Sequence, residues 1–370
     1  MPRIKELDSI RGVAALAIVV YHLWFPQVGA FGLAVDLFFV LSGYLITSIL
    51  LNNALSERFL LSFYWRRSLR IWPIYYLTLT VLVLTNPFLP TPGNLEDLPY
   101  YLTYTQEIPH AWAGREPTFP LAFRHTWTLA IEEQFYVFWP ALLWTVGRKR
   151  LAVLASTLIG LAVVTRAFNL NQFILITRCD GLALGGLLAG LVGDRGQAYT
   201  MPAGDRARFT RLALGLAGLV ALALVAERLF GACWWGLIPT ATSESLKKLG
   251  TNLVAFALVG IIVIHAGHPR LRCLRDRRLV YLGTISYGIY LYHHFLFKLW
   301  ENLATQFHWP ENVAVDLIKL SAGISLAAFS WHFIERPILG LKERFCYKTA
   351  ASFGGEVPGG VTELSSIKAG

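Results

Sequence analysis

Long apolar stretches follow one another along this chain with little polar sequence between them. A transmembrane helix needs roughly 20 predominantly apolar residues, and about ten such stretches occur. Only 15% of the 370 residues are charged and 55% are hydrophobic, which leaves too few polar side chains to cover a soluble core. The pattern predicts an all-α, polytopic integral membrane helical bundle. The predicted spans are Ser9–Trp24, Gly32–Leu51, Ile71–Leu84, Trp127–Val146, Leu151–Ala167, Phe173–Val192, Leu212–Leu229, Leu253–His265, Tyr281–Trp300 and Val315–Phe333.

Basic residues recur in alternate loops of this predicted topology. They cluster within segments 58–70, 148–150, 195–211 and 270–278 and in both tails, whereas the intervening loops have fewer. Because positively charged loops stay on the cytoplasmic side, we expect both termini in the cytoplasm of a cell with the protein in its inner membrane. The net charge of +10 is then explained by topology and by contact with anionic membrane lipids, and we expect no nucleic-acid partner.

The chain reads as one membrane domain followed by a short tail. We assign residues 1–345 to the membrane domain and 346–370, which contain much Gly and Ser, to a flexible cytoplasmic tail. The chain has four cysteines, of which only Cys233 is expected outside the cell. A disulfide needs two partners in an oxidising compartment, so we expect none.

Ionisable side chains inside the predicted spans are the first candidates for function, because such groups are costly in lipid. They are Arg11, His22, Asp36, Glu132, Glu133, Arg178, His293 and His294. Arg11 and His22 lie eleven positions apart and therefore share a helix face. The topology places the histidines and the three carboxylates in the outer halves of four spans. We expect them to converge at one depth and form a site.

Short motifs run in order through nearly the whole chain, from about Ile4 to Leu341. They are Arg11-(ten residues)-His22, Gly32–Gly43, Phe63–Pro73, Trp127–Tyr136, Arg178–Gly181, Ile285–His293 and Phe333–Pro337. Together they resemble the motifs of the membrane acyltransferase-3 family. The chain departs from that pattern at Thr128 and Ala130, where serines are common, and at His294, where an aromatic residue is usual.

The resemblance implies an enzyme that moves an acyl group, usually acetyl from acetyl-CoA, to a hydroxyl of a glycan or related acceptor. By this resemblance, the family's histidine corresponds to His22, and the family's arginine motif corresponds to Arg66, Arg67 and Arg70. We therefore expect acetyl-CoA as the donor co-substrate and a glycan or lipid-linked glycan as the acceptor.

The chemistry of such a transfer agrees with the residues present. A base must take the hydroxyl proton, and histidine suits this task because its pKa lies near the working pH. A carboxylate can hold the imidazole in the required tautomer, and Asp36, Glu132 or Glu133 is placed to do so. Adjacent residues point about 100° apart on a helix, so only one glutamate is expected to face the site, with Glu133 slightly preferred. Direct transfer and a transient acyl-histidine both remain open.

The donor site is predicted around the arginine motif. Guanidinium groups pair phosphates bidentately, so Arg66, Arg67 and Arg70 suit the phosphates of CoA. Arg11 and Arg178 are assigned to the same site. The alternative is that these arginines only anchor the topology.

The acceptor site is predicted on the outer side. Tyr287, Tyr290, His293 and His294 either line an acceptor channel or pack structurally. The outer loop Pro87–His125 contains several aromatic residues, and Trp112 is the expected sugar-stacking residue if this loop forms a lid. The competing interpretation is a belt of aromatic side chains at headgroup depth.

Two other classes of function use similar residues. A secondary transporter also places charges at mid-depth, although it usually shows interrupted segments in two related halves. A metal-dependent hydrolase would use His22, Asp36, His293 and His294. The sequence has no HxxxH pair, however, and adjacent histidines point apart on a helix, so we expect no metal.

Overall fold

The computed structural model describes residues 3–25, 32–53, 59–88, 94–113, 121–171, 173–192, 201–230, 240–309 and 312–342. The predictions for Cys233 and for the tail 346–370 lie outside these ranges. The α-helices are α1 (Lys5–Trp24), α2 (Gly32–Asn53), α3 (Phe59–Thr85), α4 (Leu98–Leu102), α5 (Ile108–Ala113), α6 (Trp127–Val146), α7 (Leu151–Ala167), α8 (Leu175–Val192), α9 (Ala203–Phe230), α10 (Thr240–Ile264), α11 (Arg277–Thr284), α12 (Ser286–Phe307), α13 (Val313–Ser330) and α14 (Arg336–Gly340).

The long helices match the predicted spans one for one. Within the described ranges, eight helices are long and apolar enough to cross a membrane. The other two long helices, α6 and α12, contain 20 and 22 residues and are more polar. The prediction of an all-helical, multi-pass membrane protein is confirmed.

Three helices begin well before the predicted spans. Helix α3 begins at Phe59 rather than Ile71, α9 at Ala203 rather than Leu212, and α10 at Thr240 rather than Leu253. Apolar runs mark only the part of a helix that faces hydrocarbon, whereas backbone hydrogen bonding continues through flanking polar residues. As a consequence, the arginine motif Arg66–Arg70 lies within α3 and not in a loop.

Helices α2 and α8 form the buried centre of the bundle. A Cβ atom added to Gly43 would lie 1.9 Å from the carbonyl oxygen of Leu182, and one added to Gly185 would lie 2.1 Å from that of Val40. Glycine therefore lets the two backbones approach more closely than any other residue would allow. By contrast, only 6% of the membrane-spanning part of α9 is buried, so α9 lies at the periphery.

The segment between α3 and α6 folds partly into the protein. Tyr101, Tyr104 and Phe123 are buried there, and the ring of Tyr104 stacks on that of Tyr75 in α3, with 4.3 Å between their centroids. These aromatic residues form neither a lid nor an interfacial belt, because the bundle itself covers them. The side chain of Trp112 lies outside what the structure describes.

Candidate active site

Four histidines meet between α1, α12 and the turn before α6. Nδ1 of His22 lies 3.2 Å from Nε2 of His293, and the ring of His294 meets His22 edge-on at 4.6 Å between centroids. His125 stacks on His294 at 4.9 Å. His22 of α1 therefore contacts both His293 and His294 of α12, as we expected for the histidines of the site. His125 was missed, although its place two residues before Trp127 puts it next to a predicted span.

One backbone carbonyl orients two of these rings. The oxygen of Tyr290 accepts a hydrogen bond from Nδ1 of His293 at 2.6 Å and from Nε2 of His125 at 2.9 Å. Since Nδ1 of His293 carries the hydrogen, its Nε2 in the neutral ring is an acceptor. Nδ1 of His22 is then the donor across the 3.2 Å contact. This arrangement leaves a lone pair on Nε2 of His22.

A cavity that is partly open to solvent lies one helical turn from His22. Along α1 its lining includes Arg11 and Ile18, and His22 follows Ile18 by one helical turn. The ring of Tyr290 also lines the cavity, and its hydroxyl lies 2.6 Å from Oγ1 of Thr128. The residue whose carbonyl orients the histidines is thus part of the cavity wall.

Arginines from two helices give the cavity a positive charge. Arg11, Arg67 and Arg70 line it together with one carboxylate, that of Glu132. The guanidinium of Arg67 lies over the ring of Tyr136, 4.0 Å from its centroid. Such a site suits a phosphorylated ligand, because guanidinium groups pair phosphate oxygens. Arg66, which we assigned to the same site, is not among the lining residues.

The two glutamates of α6 occupy different surroundings. Glu132 accepts hydrogen bonds from the Ser42 hydroxyl at 2.7 Å and the Tyr136 hydroxyl at 3.0 Å. Glu133 instead accepts one from Nε1 of Trp72 at 2.8 Å. The preference for Glu133 was wrong, since Glu132 is the one that lines the cavity. Both carboxylates have partners other than a histidine.

Asp36 and Arg178 belong to a second buried cluster. Asp36 pairs with Lys248, accepts a hydrogen bond from Thr251 at 2.6 Å and lies 3.8 Å from Arg178. Asp36 was one of three carboxylates that could have oriented His22, and its partners here are Lys248, Thr251 and Arg178 instead. Arg178, which we assigned to the donor site, does not line the cavity. Asp36 does lie in α2, but its face of that helix points to α8 and α10 and not to α1.

The residues predicted for an acceptor channel separate into two groups. Tyr287 and Tyr290 line the same cavity as the arginines, and the Tyr287 hydroxyl donates to the carbonyl of Ile71 at 2.9 Å. His293 is 1% exposed and contacts His22 instead of lining a channel.

Three histidines are close enough to hold a metal ion. Ligand atoms of His22, His293 and His294 lie within 4.8 Å of one another. We expected no metal because adjacent histidines point apart on a helix, and this reason is wrong. The ring of His22 in the neighbouring helix lies 5.1 Å from that of His293 and 4.6 Å from that of His294, between ring centroids, so both contact it.

Comparison with known proteins identifies the family of this chain. The model of a family described as "Acyltransferase domain" matches residues 4–332. The chain is 28% identical to the peptidoglycan O-acetyltransferase OatA of Listeria monocytogenes, over 90% of this chain and 56% of that protein. It is 30% identical to the putative peptidoglycan O-acetyltransferase YrhL of Bacillus subtilis, over 90% of this chain and 55% of that one.

A putative O-acetyltransferase of Staphylococcus aureus is 28% identical, over 91% of this chain and 57% of its own length. The chain therefore spans little more than half the length of these relatives. No solved structure matches it. Because the family model covers nearly the whole bundle, including the histidine cluster and the cavity, the chain belongs to this family of membrane acyltransferases.

Proposed function

We propose that this protein transfers an acetyl group from acetyl-CoA to a hydroxyl of a cell-envelope glycan, with His22 as the general base. One observation carries the proposal. A positively charged cavity follows α1 from Arg11 to Ile18. One turn farther on, Nδ1 of His22 contacts Nε2 of His293, and we assign the hydrogen of His22 to Nδ1, which leaves a lone pair on Nε2.

The donor is inferred from the charge and shape of the cavity. Arg11, Arg67 and Arg70 would bind the phosphates of CoA, and the apolar wall formed by Phe38, Ile71 and others would contact its pantetheine arm. Glu132 then acts as a positioning residue. It holds Tyr136, over which Arg67 lies, and its negative charge attracts that guanidinium.

In the proposed reaction, Nε2 of His22 takes the proton from the acceptor hydroxyl while the oxygen attacks the thioester carbonyl. The tetrahedral intermediate collapses, the C–S bond breaks, and the CoA thiolate receives the proton from the imidazolium. The products are an O-acetyl ester and free CoA. His293 keeps the hydrogen of His22 on Nδ1, so that Nε2 faces the reaction as an acceptor.

The acceptor is inferred from the relatives. Two of them are named peptidoglycan O-acetyltransferases, which favours a sugar hydroxyl of the cell wall or of its lipid-linked precursor. We place its entrance on the side of the bundle that carries the segment before α6, with Trp112 as the proposed stacking residue. This side would face outward if both termini are cytoplasmic, as the loop charges of an inner-membrane protein indicate.

The test uses the full chain in lipid vesicles. Acetyl-CoA with a labelled acetyl group and a panel of cell-wall oligosaccharides should give labelled glycan that mild alkali releases as acetate. Release of CoA must match ester formation mole for mole. Transfer that requires another acetyl donor and ignores acetyl-CoA would refute the donor assignment, and labelling of an amine in place of a hydroxyl would refute the reaction.

A further inference from the structure

The histidine cluster contains more nitrogen donors than the proposed transfer requires. In the described part of the chain, Nδ1 of His125 and Nδ1 of His294 are buried and have no hydrogen-bond partner. A buried polar atom without a partner is costly, and native proteins rarely keep one without a ligand, a water molecule or a functional reason. Of the two, His294 belongs to a group of three histidines whose ligand atoms lie within 4.8 Å of one another.

The distances in the cluster fit a tetrahedral metal ion. Zinc–nitrogen bonds of about 2.05 Å put two ligand nitrogens roughly 3.3 Å apart, and Nδ1 of His22 lies 3.2 Å from Nε2 of His293. His294 supplies a third nitrogen within 4.8 Å of both, and metal binding would require its side chain to rotate toward them. The carbonyl of Tyr290 orients His293 from its other nitrogen, as a backbone carbonyl commonly does for metal-binding histidines.

We propose that His22, His293 and His294 form a binding site for a divalent transition-metal ion of the Zn²⁺ class, and that the bound ion inhibits acyl transfer. Imidazole nitrogens select Zn²⁺ and its neighbours over Mg²⁺ or Ca²⁺, which prefer oxygen ligands. His22 and His294 are only partly buried, so an ion can reach them.

Inhibition follows from the tautomer of His22. A metal bound at Nδ1 needs the lone pair of that nitrogen, so the hydrogen of the neutral ring must move to Nε2. An Nε2 that carries a hydrogen has no lone pair to take the proton of a hydroxyl. The same residue is thus a base without the metal and an inert ligand with it. This consequence rests on the proposed function, whereas metal binding does not.

Binding is tested on the purified full chain in detergent with Zn²⁺ or Co²⁺ alone. We expect one tightly bound ion per chain by calorimetry, and the absorption spectrum of tetrahedral Co²⁺. His294→Phe keeps an aromatic ring stacked on His125 but removes a ligand, and should weaken binding about 100-fold or more. His294→Asn is the second variant in case the first does not fold, His332→Phe is an exposed control, and Mg²⁺ should not bind.

A second pair of histidines provides the competing outcome. The rings of His265 and His268 are 6.0 Å apart, and binding that survives both His294 variants but is lost in His268→Gln would overturn the proposed site. For inhibition, each variant is compared with its own zinc-free activity. Zn²⁺ should inhibit the unaltered chain in the range where it binds. Zinc binding without inhibition would overturn the tautomer argument. If the chain shows no transfer activity, the calorimetry still measures whether the ion binds.

Discussion

Nε2 of His293 lies 3.2 Å from Nδ1 of His22, across 271 positions of sequence. This contact joins the first long helix to α12 and completes a chain of hydrogen bonds that begins at the carbonyl of Tyr290. A carboxylate is the usual partner of a catalytic histidine. In the proposed mechanism a second histidine, itself held by a backbone carbonyl, takes that position.

Replacement of His22 tests the general base. His22→Ala should lower kcat by about 10²–10⁴-fold, the usual contribution of a general base, while the protein remains folded in the membrane. The measurement is acetyl transfer from acetyl-CoA with size-exclusion chromatography as the check on folding, and His332→Ala as an exposed control. Near-normal turnover by a well-folded His22→Ala protein would reduce His22 to a packing residue.

His293 is predicted to act through His22. His293→Phe removes the nitrogen that accepts from His22 and should lower kcat about tenfold or more, because the tautomer of His22 is no longer held. The KM for acetyl-CoA should stay the same, since His293 does not line the cavity. His293→Gln, whose side-chain oxygen can accept the same hydrogen bond, should restore part of kcat. A change in KM with constant kcat would contradict this role.

The arginines of α3 provide a matched pair of variants. Arg67→Ala should weaken CoA binding about 10- to 100-fold, because a charge-assisted hydrogen bond contributes roughly 1.5–3 kcal/mol. Arg66→Ala should leave it nearly unchanged, since Arg66 does not line the cavity. Isothermal titration with CoA at two salt concentrations measures both. Equal losses in the two variants would show that the motif serves topology and not the donor.

Asp36 is predicted to stabilise the fold and not to catalyse. Asp36→Asn leaves Lys248 and Arg178 without their buried counter-charge, and breaking a buried ion pair typically costs about 3–5 kcal/mol. Thermal unfolding in detergent should show a large loss of stability, and Lys248→Met in the same chain should restore part of it. A stable Asp36→Asn protein with a lost kcat would return Asp36 to the catalytic machinery.

The close approach of α2 and α8 gives a test of the fold. Gly43→Ala places a Cβ atom 1.9 Å from the carbonyl oxygen of Leu182, so the two helices must separate, at a cost of about 1–3 kcal/mol or more. Gly160→Ala is the control, since nothing lies within 4 Å of its added Cβ. The thermal midpoint should fall for the first variant only. Equal midpoints would mean that α2 and α8 are packed less tightly than described.

The sequence by itself determined the helices, the membrane location and the family. Apolar runs specify spanning helices because lipid offers no partner for backbone polar groups, and this constraint does not depend on how the helices pack. The family motifs also identified His22, Arg67 and the histidine pair as residues to examine. The spacing of Arg11 and His22 predicted that the two share a face of α1; in the structure Arg11 lines the cavity and His22 contacts His293.

Only the tertiary structure decided which of these groups meet. Topology gives the depth of a side chain, and periodicity gives its helix face, but neither says which neighbouring helix that face meets. Asp36 pairs with Lys248 of α10, while His293 and His294 both contact His22 because α12 packs against α1. These partners depend on the packing order of the whole bundle, which is set by contacts distant in sequence, such as that between Gly43 and Leu182.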